Sequence, residues 1–243
     1  MTLSVHIQIE QADTAFSMFR VLFGLVPVLL GAGIAFFSTW WFARRAERFR
    51  RRGLGYALVM RANEAFNNIK EIERVLTVNL HKVGKVPHLD QKWQVVQIAT
   101  GFDWKHTISF APEELAILVD ARQHGLINEL AELSRLHNIL NIMMGEYVVR
   151  RENLTRELRA ASTPTVDGTQ IASLVDNQVT ERLKPDIMLI EDLLGQIIEK
   201  AVDGAGFAEK VVTKAGPIIK VALKDKKFAM SVQTQTGEPN AGE

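Results

Sequence analysis

The sequence contains no cysteine, which excludes disulfide bonds, cysteine-ligated zinc, iron–sulfur clusters and cysteine nucleophiles. It also lacks a strong charge of either sign, since the net charge is only +1, and we expect no nucleic-acid partner. It has no phosphate-binding lysine loop, no nucleophile-elbow motif and no protein-kinase motif set. We therefore expect no cofactor, no catalytic residue and no enzymatic activity. An enzyme whose site assembles from distant residues is the alternative.

The few histidines are not spaced as metal ligands. None of the six belongs to an HExxH or ExxH pair on one helix face. Asp103 precedes His106 by three residues and Asp120 precedes His124 by four, but no matching acids are predicted on a facing helix. We interpret both as solvated pairs and expect no metal site.

Charge is missing altogether from residues 21–43. At 1.5 Å per residue this run makes a helix of about 35 Å, enough to cross a hydrocarbon core of about 30 Å. A helix satisfies its own backbone hydrogen bonds, and it is therefore stable in lipid. Pro27 lies within the first two turns and is expected to bend the helix without ending it. The run predicts a transmembrane helix, with the lipid bilayer as a partner.

A cluster of arginines follows the run and sets the predicted orientation. Positive residues favour the cytoplasmic side of a span, and the first twenty residues carry Glu10, Asp13 and a single arginine. Trp40 and Trp41 are typical of a membrane interface at the same end. We predict the N-terminus outside and the C-terminus in the cytoplasm, as in a bacterial inner-membrane protein. The arginines of this anchor are Arg44, Arg45, Arg48, Arg50, Arg51 and Arg52.

Two other interpretations of the run agree less well with the sequence. A cleaved signal peptide needs a basic start, an apolar core of about 7–15 residues and a small-residue cleavage site. Here the start is slightly acidic, the run is longer, and arginines occupy the cleavage position. A core helix of a soluble protein would not be expected to end in two tryptophans.

Small residues inside the run offer a contact between membrane helices. Gly31 and Ala35 are four residues apart, a spacing that lets two helix backbones approach closely. Such pairs are also frequent in membrane spans by chance, so self-association through them is one of two open interpretations.

Apolar residues recur every three or four positions in three later stretches, which predicts three long helices. The second starts at Pro112, a favourable first helical position, and the third runs from about Thr169 to Val202. The predicted fold class is all-α: a single transmembrane helix followed by a long-helix cytoplasmic bundle of three to four helices, up-down-up, with coiled-coil-like packing. The three stripes are Leu58, Ala62, Ala65, Ile69, Ile72, Leu76, Asn79 and Val83; Leu126, Leu130, Leu133, His137, Leu140, Met144, Tyr147, Arg151, Leu154 and Leu158; and Leu183, Ile187, Ile190, Leu194, Ile197 and Ala201.

The connections are less regular. Residues 88–110 are aromatic and β-branched, which predicts a cap on the bundle or a short hairpin, and residues 162–168 predict a loop by composition. The predicted organisation is an extracytoplasmic tail over 1–20, the span over 21–43, a basic stop-transfer segment over 44–52, the bundle over 53–230 and a disordered tail over 231–243.

Two polar residues interrupt the second stripe. His137 is interpreted as a core histidine hydrogen-bonded to a neighbouring helix, and a pH-sensitive element is the alternative. Arg151 is expected to extend to solvent or to pair with Glu191 or Glu199.

Residues 207–228 are basic on one side and apolar on the other. They predict either a fourth helix docked on the bundle or an amphipathic segment lying on an anionic membrane. The lysines that would face that membrane are Lys210, Lys214, Lys220, Lys224, Lys226 and Lys227.

The leading hypothesis is a membrane-anchored scaffold or accessory subunit that binds another membrane or cytoplasmic protein, or a second copy of itself. The candidate contact surfaces are the apolar stripes, an aromatic cap of Trp93, Phe102 and Trp104, and residues 207–228. The alternative is a membrane-active or membrane-remodelling protein that acts through the span and residues 207–228.

Overall fold

The computed structural model describes the backbone of residues 3–83, 85, 91–96, 103–167, 170–175, 177–225 and 228, and the side chains of these residues from Leu25 onward apart from 162–177. The chain divides into two compact units, Met1–Gly53 and Leu54–Glu243. We call them the N-terminal unit and the bundle unit. The tail over 231–243, Phe102, Lys226 and Lys227 lie outside the described residues.

The predicted fold class is confirmed, because long helices dominate the described chain. The helices are α1 (Leu3–Leu80), α2 (Lys92–Val95), α3 (Pro112–Asp120), α4 (His124–Ala161) and α5 (Asn177–Leu223). Helix α1 contains Pro27 and is not ended by it. It already begins at Leu3, well before the charge-free run.

The loop predicted over 162–168 is wrong. Strands β1 (Ser162–Asp167) and β2 (Gln170–Val175) form an antiparallel pair between α4 and α5, with Ser162 opposite Val175. Composition favoured a loop because serine, proline and aspartate are turn formers, but threonine and valine are β-branched and suit a strand. The third long helix therefore begins at Asn177, eight positions after the predicted start.

The three apolar stripes form the core of the bundle unit, as predicted. On α1, Leu58, Ala62 and Ile69 are fully buried. On α4 the stripe includes buried Leu133, Leu140 and Tyr147, and on α5 the buried residues include Leu183, Ile190 and Leu194. All three sets belong to one hydrophobic cluster.

Contacts between the helices give their directions. Helices α4 and α5 are antiparallel, because Glu129 pairs with Lys214 while Glu157 pairs with Arg182. Between α1 and α4 the chain runs back along both helices. His106 contacts Glu64 of α1 and Asn141 of α4, and Ser109, three residues later, contacts Arg61, three residues earlier on α1. Helices α1 and α4 therefore run in the same direction, where the sequence had predicted that the three long helices alternate, because the described parts of 91–120 supply the downward pass between them.

Helix α5 continues well beyond its predicted end. It passes through Gly204 and Gly206 to Leu223, so the docked interpretation of residues 207–228 holds for 207–223 as a continuation of α5. A Cβ at Gly204 would lie 2.7 Å from the Leu136 Cδ2 atom on α4, whereas a Cβ at Gly206 would meet open space. Gly204 therefore allows close packing between the two helices and does not end α5.

Candidate functional site

One helix in the described part of the chain is long and apolar enough to cross a membrane, and it lies near the N-terminus. Its most apolar window has a mean hydropathy of 1.7, and none of that window is buried inside the protein. Leu29, Ile34 and Phe36 are 68%, 70% and 75% exposed. A core helix of a soluble protein would bury such side chains, so their exposure favours lipid as their environment.

The residues predicted to fix the anchor all lie on α1. Trp40 and Trp41 are each 45% exposed, and the guanidinium carbon of Arg44 lies 5.1 Å from the centre of the Trp40 ring. This cation–π geometry brings the first arginine against the last turn of the apolar run. Arg50 and Arg51 each approach the Glu47 carboxylate at 3.7 Å.

The pair Gly31 and Ala35 lies on an uncovered surface of α1. A Cβ at Gly31 would meet no atom within 4 Å, and Ala35 is exposed. Helix contact through this pair stays a prediction.

Inside the bundle unit, His137 joins α4 to α1. Its partners Asn138 and Asn141 bond Ile108 and His106 of the returning segment, the name we give to the described parts of residues 91–120. Its Nε2 atom lies 3.1 Å from the Asn68 amide nitrogen on α1 and 3.3 Å from the Asn141 amide nitrogen. Its Nδ1 atom lies 3.0 Å from the Asn138 amide oxygen. The histidine is fully buried, as predicted for a core residue bonded to a neighbouring helix.

The neighbours of His137 decide which ring nitrogen carries the proton. The Asn138 side chain is oriented by Ile108, whose N–H donates to its oxygen and whose carbonyl accepts from its nitrogen. Because the Asn138 oxygen only accepts, Nδ1 must donate and Nε2 must accept in the neutral ring. Burial lowers the pKa of His137, while the Asn138 hydrogen bond raises it, His106 lowers it and Glu64 raises it. The neutral imidazole is the form that fits this site.

In a second polar cluster, two side chains hydrogen-bond the backbone of Trp93. Arg151 Nε donates to the Trp93 carbonyl at 3.1 Å, and the Trp93 N–H donates to the Glu191 carboxylate at 2.9 Å. The Tyr147 hydroxyl donates to the Val96 carbonyl at 3.2 Å, and burial raises the pKa of Tyr147 to about 12. Arg151 and Glu191 thus both bond the Trp93 backbone, whereas the sequence had predicted that Arg151 extends to solvent or pairs directly with Glu191 or Glu199.

Sequence reasoning missed Arg61 and Glu114. Glu114 is only 3% exposed, accepts the Ala111 N–H at 3.0 Å at the start of α3, and pairs with Arg61 of α1 at 3.1 Å. A glutamate three residues after a helix start is a recognisable capping signal, but its partner on α1 is 53 positions away.

The acid–histidine pairs do not form a metal centre in the described chain. Asp103 accepts the backbone N–H of Lys105, and His106 pairs with Glu64 at 3.1 Å. No three histidine or acidic side chains converge there as metal ligands.

No protein-family model, curated protein or solved structure matches this chain.

The predicted contact surfaces have different environments. Trp93 is buried. The apolar side of residues 207–223 lies in the core through Ala208, Val211 and Val212, and Lys210, Lys214 and Lys220 are exposed.

An apolar surface remains on α4, where Ile142 and Val149 are 66% and 55% exposed. They flank Gly145, against which the partly buried Trp104 packs. We call Trp104, Ile142 and Val149 the α4 patch.

Proposed function

We propose that this protein is a single-pass membrane-anchored scaffold or accessory subunit, whose bundle unit binds another protein at the cytoplasmic face of a bacterial inner membrane. The observation that carries the proposal is an exposed apolar window on α1 followed directly by the arginine cluster. Lipid covers the window, and the arginines keep the following residues on the cytoplasmic side.

The α4 patch supports a protein partner for the bundle. Side chains seven residues apart lie on the same face of a helix, and here two branched apolar residues flank a packed tryptophan. Aromatic and apolar side chains are enriched at the centre of protein interfaces. The partner is therefore expected to contact the middle of α4.

Topology is the first test of this proposal. We expect a C-terminal tag to resist protease in intact spheroplasts and to be digested in inverted membrane vesicles, because the arginine cluster holds it in the cytoplasm. The protein should also remain in the membrane after a carbonate wash. Digestion in intact spheroplasts would reverse the orientation, and release by carbonate would contradict the anchor.

Crosslinking tests the partner surface. We expect a photoactivatable amino acid at position 142 or 149 to give one crosslinked product in cells, and the same probe at exposed Lys200 on α5 to give none. A product twice the mass of this chain would identify a second copy as the partner. Equal crosslinking at all three positions would contradict a specific surface on α4.

The membrane-active alternative has weaker support. An amphipathic segment inserts into lipid through its apolar side, but the apolar side of residues 207–223 is part of the core. The proposal therefore assigns membrane contact to α1 and leaves the exposed lysines of α5 in water.

A further inference from the structure

The arginines after the apolar run are distributed unevenly around α1. At 100° per residue, Arg44, Arg48 and Arg52 follow one another along a single side, with Arg45 beside them. Phe42, Ala46, Phe49 and Gly53 recur at steps of four, three and four on the opposite side. Phe42 and Phe49 are 65% and 60% exposed. The helix therefore has a basic side and an apolar side over these residues.

The single acid in this region lies at the edge of the basic side. Glu47 is the only acid between residues 21 and 53, and its carboxylate lies 3.7 Å from both Arg50 and Arg51. Arg51, seven residues after Arg44, lies on the basic side, so this contact offsets part of the charge there. The arginines of that side outnumber the one acid, and the side therefore stays net positive.

The first arginines of the basic side match the headgroup layer in depth. Arg44, Arg45 and Arg48 span about 6 Å along the axis, and they begin where the Arg44 guanidinium packs over the Trp40 ring. Indole rings sit at the headgroup level, and about 5–8 Å of polar headgroup layer covers each side of the hydrocarbon core. Guanidinium groups bind phosphate oxygens in pairs of parallel hydrogen bonds, and phenylalanine prefers the acyl boundary.

We propose that Arg44, Arg45 and Arg48 form a docking surface for the phosphate headgroups of anionic phospholipids. The inference rests on the proposed function, because it requires the preceding run to cross the bilayer. It goes beyond orientation: these arginines recruit anionic lipid to the helix, while Phe42, which lies nearer the apolar run, faces the acyl chains.

Lipid selectivity of the full chain tests this surface. The purified protein is reconstituted in phosphatidylcholine bilayers that contain spin-labelled phosphatidylglycerol or spin-labelled phosphatidylcholine, and electron spin resonance gives the motionally restricted fraction of each label. We expect several-fold preference for phosphatidylglycerol, which weakens as salt rises. The R44Q/R45Q/R48Q variant should reduce the preference to nearly one.

The matched control removes the same charge elsewhere. The R50Q/K70Q/R74Q variant also loses three positive charges, but none from the basic side, and it should keep the wild-type preference. Equal association of both labels with the wild-type protein would overturn the proposal, as would an equal loss in both variants. A wild-type protein that is released by carbonate would instead contradict the membrane anchor, so the two failures are distinguishable.

Discussion

At the scale of single residues, His137 shows how a polar group is accommodated in the core. Both ring nitrogens have partners: Asn68 belongs to α1, and the amides of Asn138 and Asn141 also bond the returning segment. A proton added at Nε2 would face two amide N–H donors, Asn68 and Asn141, and would be repelled by them. The site therefore stabilises the folded chain only while the ring is neutral.

The sign of the pH dependence follows from the lowered pKa of His137. In the unfolded chain the imidazole titrates near 6.5, so below that pH the unfolded state binds more protons than the folded state. We expect the free energy of unfolding to fall as pH drops below 6.5 and to level off below the folded pKa. Heat unfolding of the detergent-solubilised chain, followed by circular dichroism between pH 7.5 and 5.5, measures this.

Two variants separate His137 from the other titrating groups. H137Q should lower the free energy of unfolding at pH 7.5 by about 1–3 kcal/mol, because buried amide donors lose their acceptor. It should also show a smaller further loss at pH 5.5. H124Q changes an exposed histidine and should behave like the wild type. The same acid sensitivity in H137Q would contradict the assignment.

At the scale of elements, two glycines of α5 lie in different environments, and the stability of the bundle unit should respond differently to their substitution. We expect Gly206→Leu to raise the free energy of unfolding by about 0.5–1 kcal/mol, because open space surrounds that position and leucine is the better helix former. Gly204→Leu should lower it by about 1–3 kcal/mol, since its side chain would collide with Leu136. Urea unfolding compares the two; similar values for both would mean that α4 and α5 do not pack closely at Gly204.

The same elements show how far the sequence could predict the fold. The stripes of α1, α4 and α5 were predicted correctly because helical periodicity depends only on spacing along the chain. The path of the returning segment was not predicted, because it depends on contacts such as the one between Trp93 and Glu191, which are 98 positions apart. The end predicted at Val202 was wrong, because glycine is common at helix ends and the packing of Gly204 against Leu136 leaves no local signal.

The candidate sites divide in the same way, into those with a local signal in the sequence and those that depend on distant contacts. The role of the arginine cluster and the two tryptophans in membrane anchoring stays a prediction, and it could be made because it depends on local composition. His137 was predicted as a bonded core residue from its place in the stripe. The position of its proton could not be predicted, and neither could the hydrogen bonds of Arg151 and Glu191 to the Trp93 backbone, because these depend on residues far apart in the sequence.

At the scale of the whole molecule, the core of the bundle unit is supplied from Leu58 onward. We therefore expect a fragment of residues 54–243 to be soluble without detergent, helical and cooperative in heat unfolding. A fragment of residues 81–243 lacks the α1 stripe and should aggregate, because α4 and α5 would expose the apolar surface that α1 covers. Circular dichroism and size-exclusion chromatography distinguish these outcomes, and an aggregated 54–243 fragment would contradict the division into units.

The last described residues of the bundle unit pack against its first residues. Leu223 and Ile219 lie against Gly55, and the Phe228 ring stacks on Tyr56 with centroids 4.5 Å apart. Synthesis from the N-terminus therefore produces the α1 stripe long before the residues that cover it. Until the ribosome has released Phe228, the nascent bundle is incomplete, and a premature stop anywhere in α5 leaves an uncovered apolar helix for chaperones and proteases to recognise.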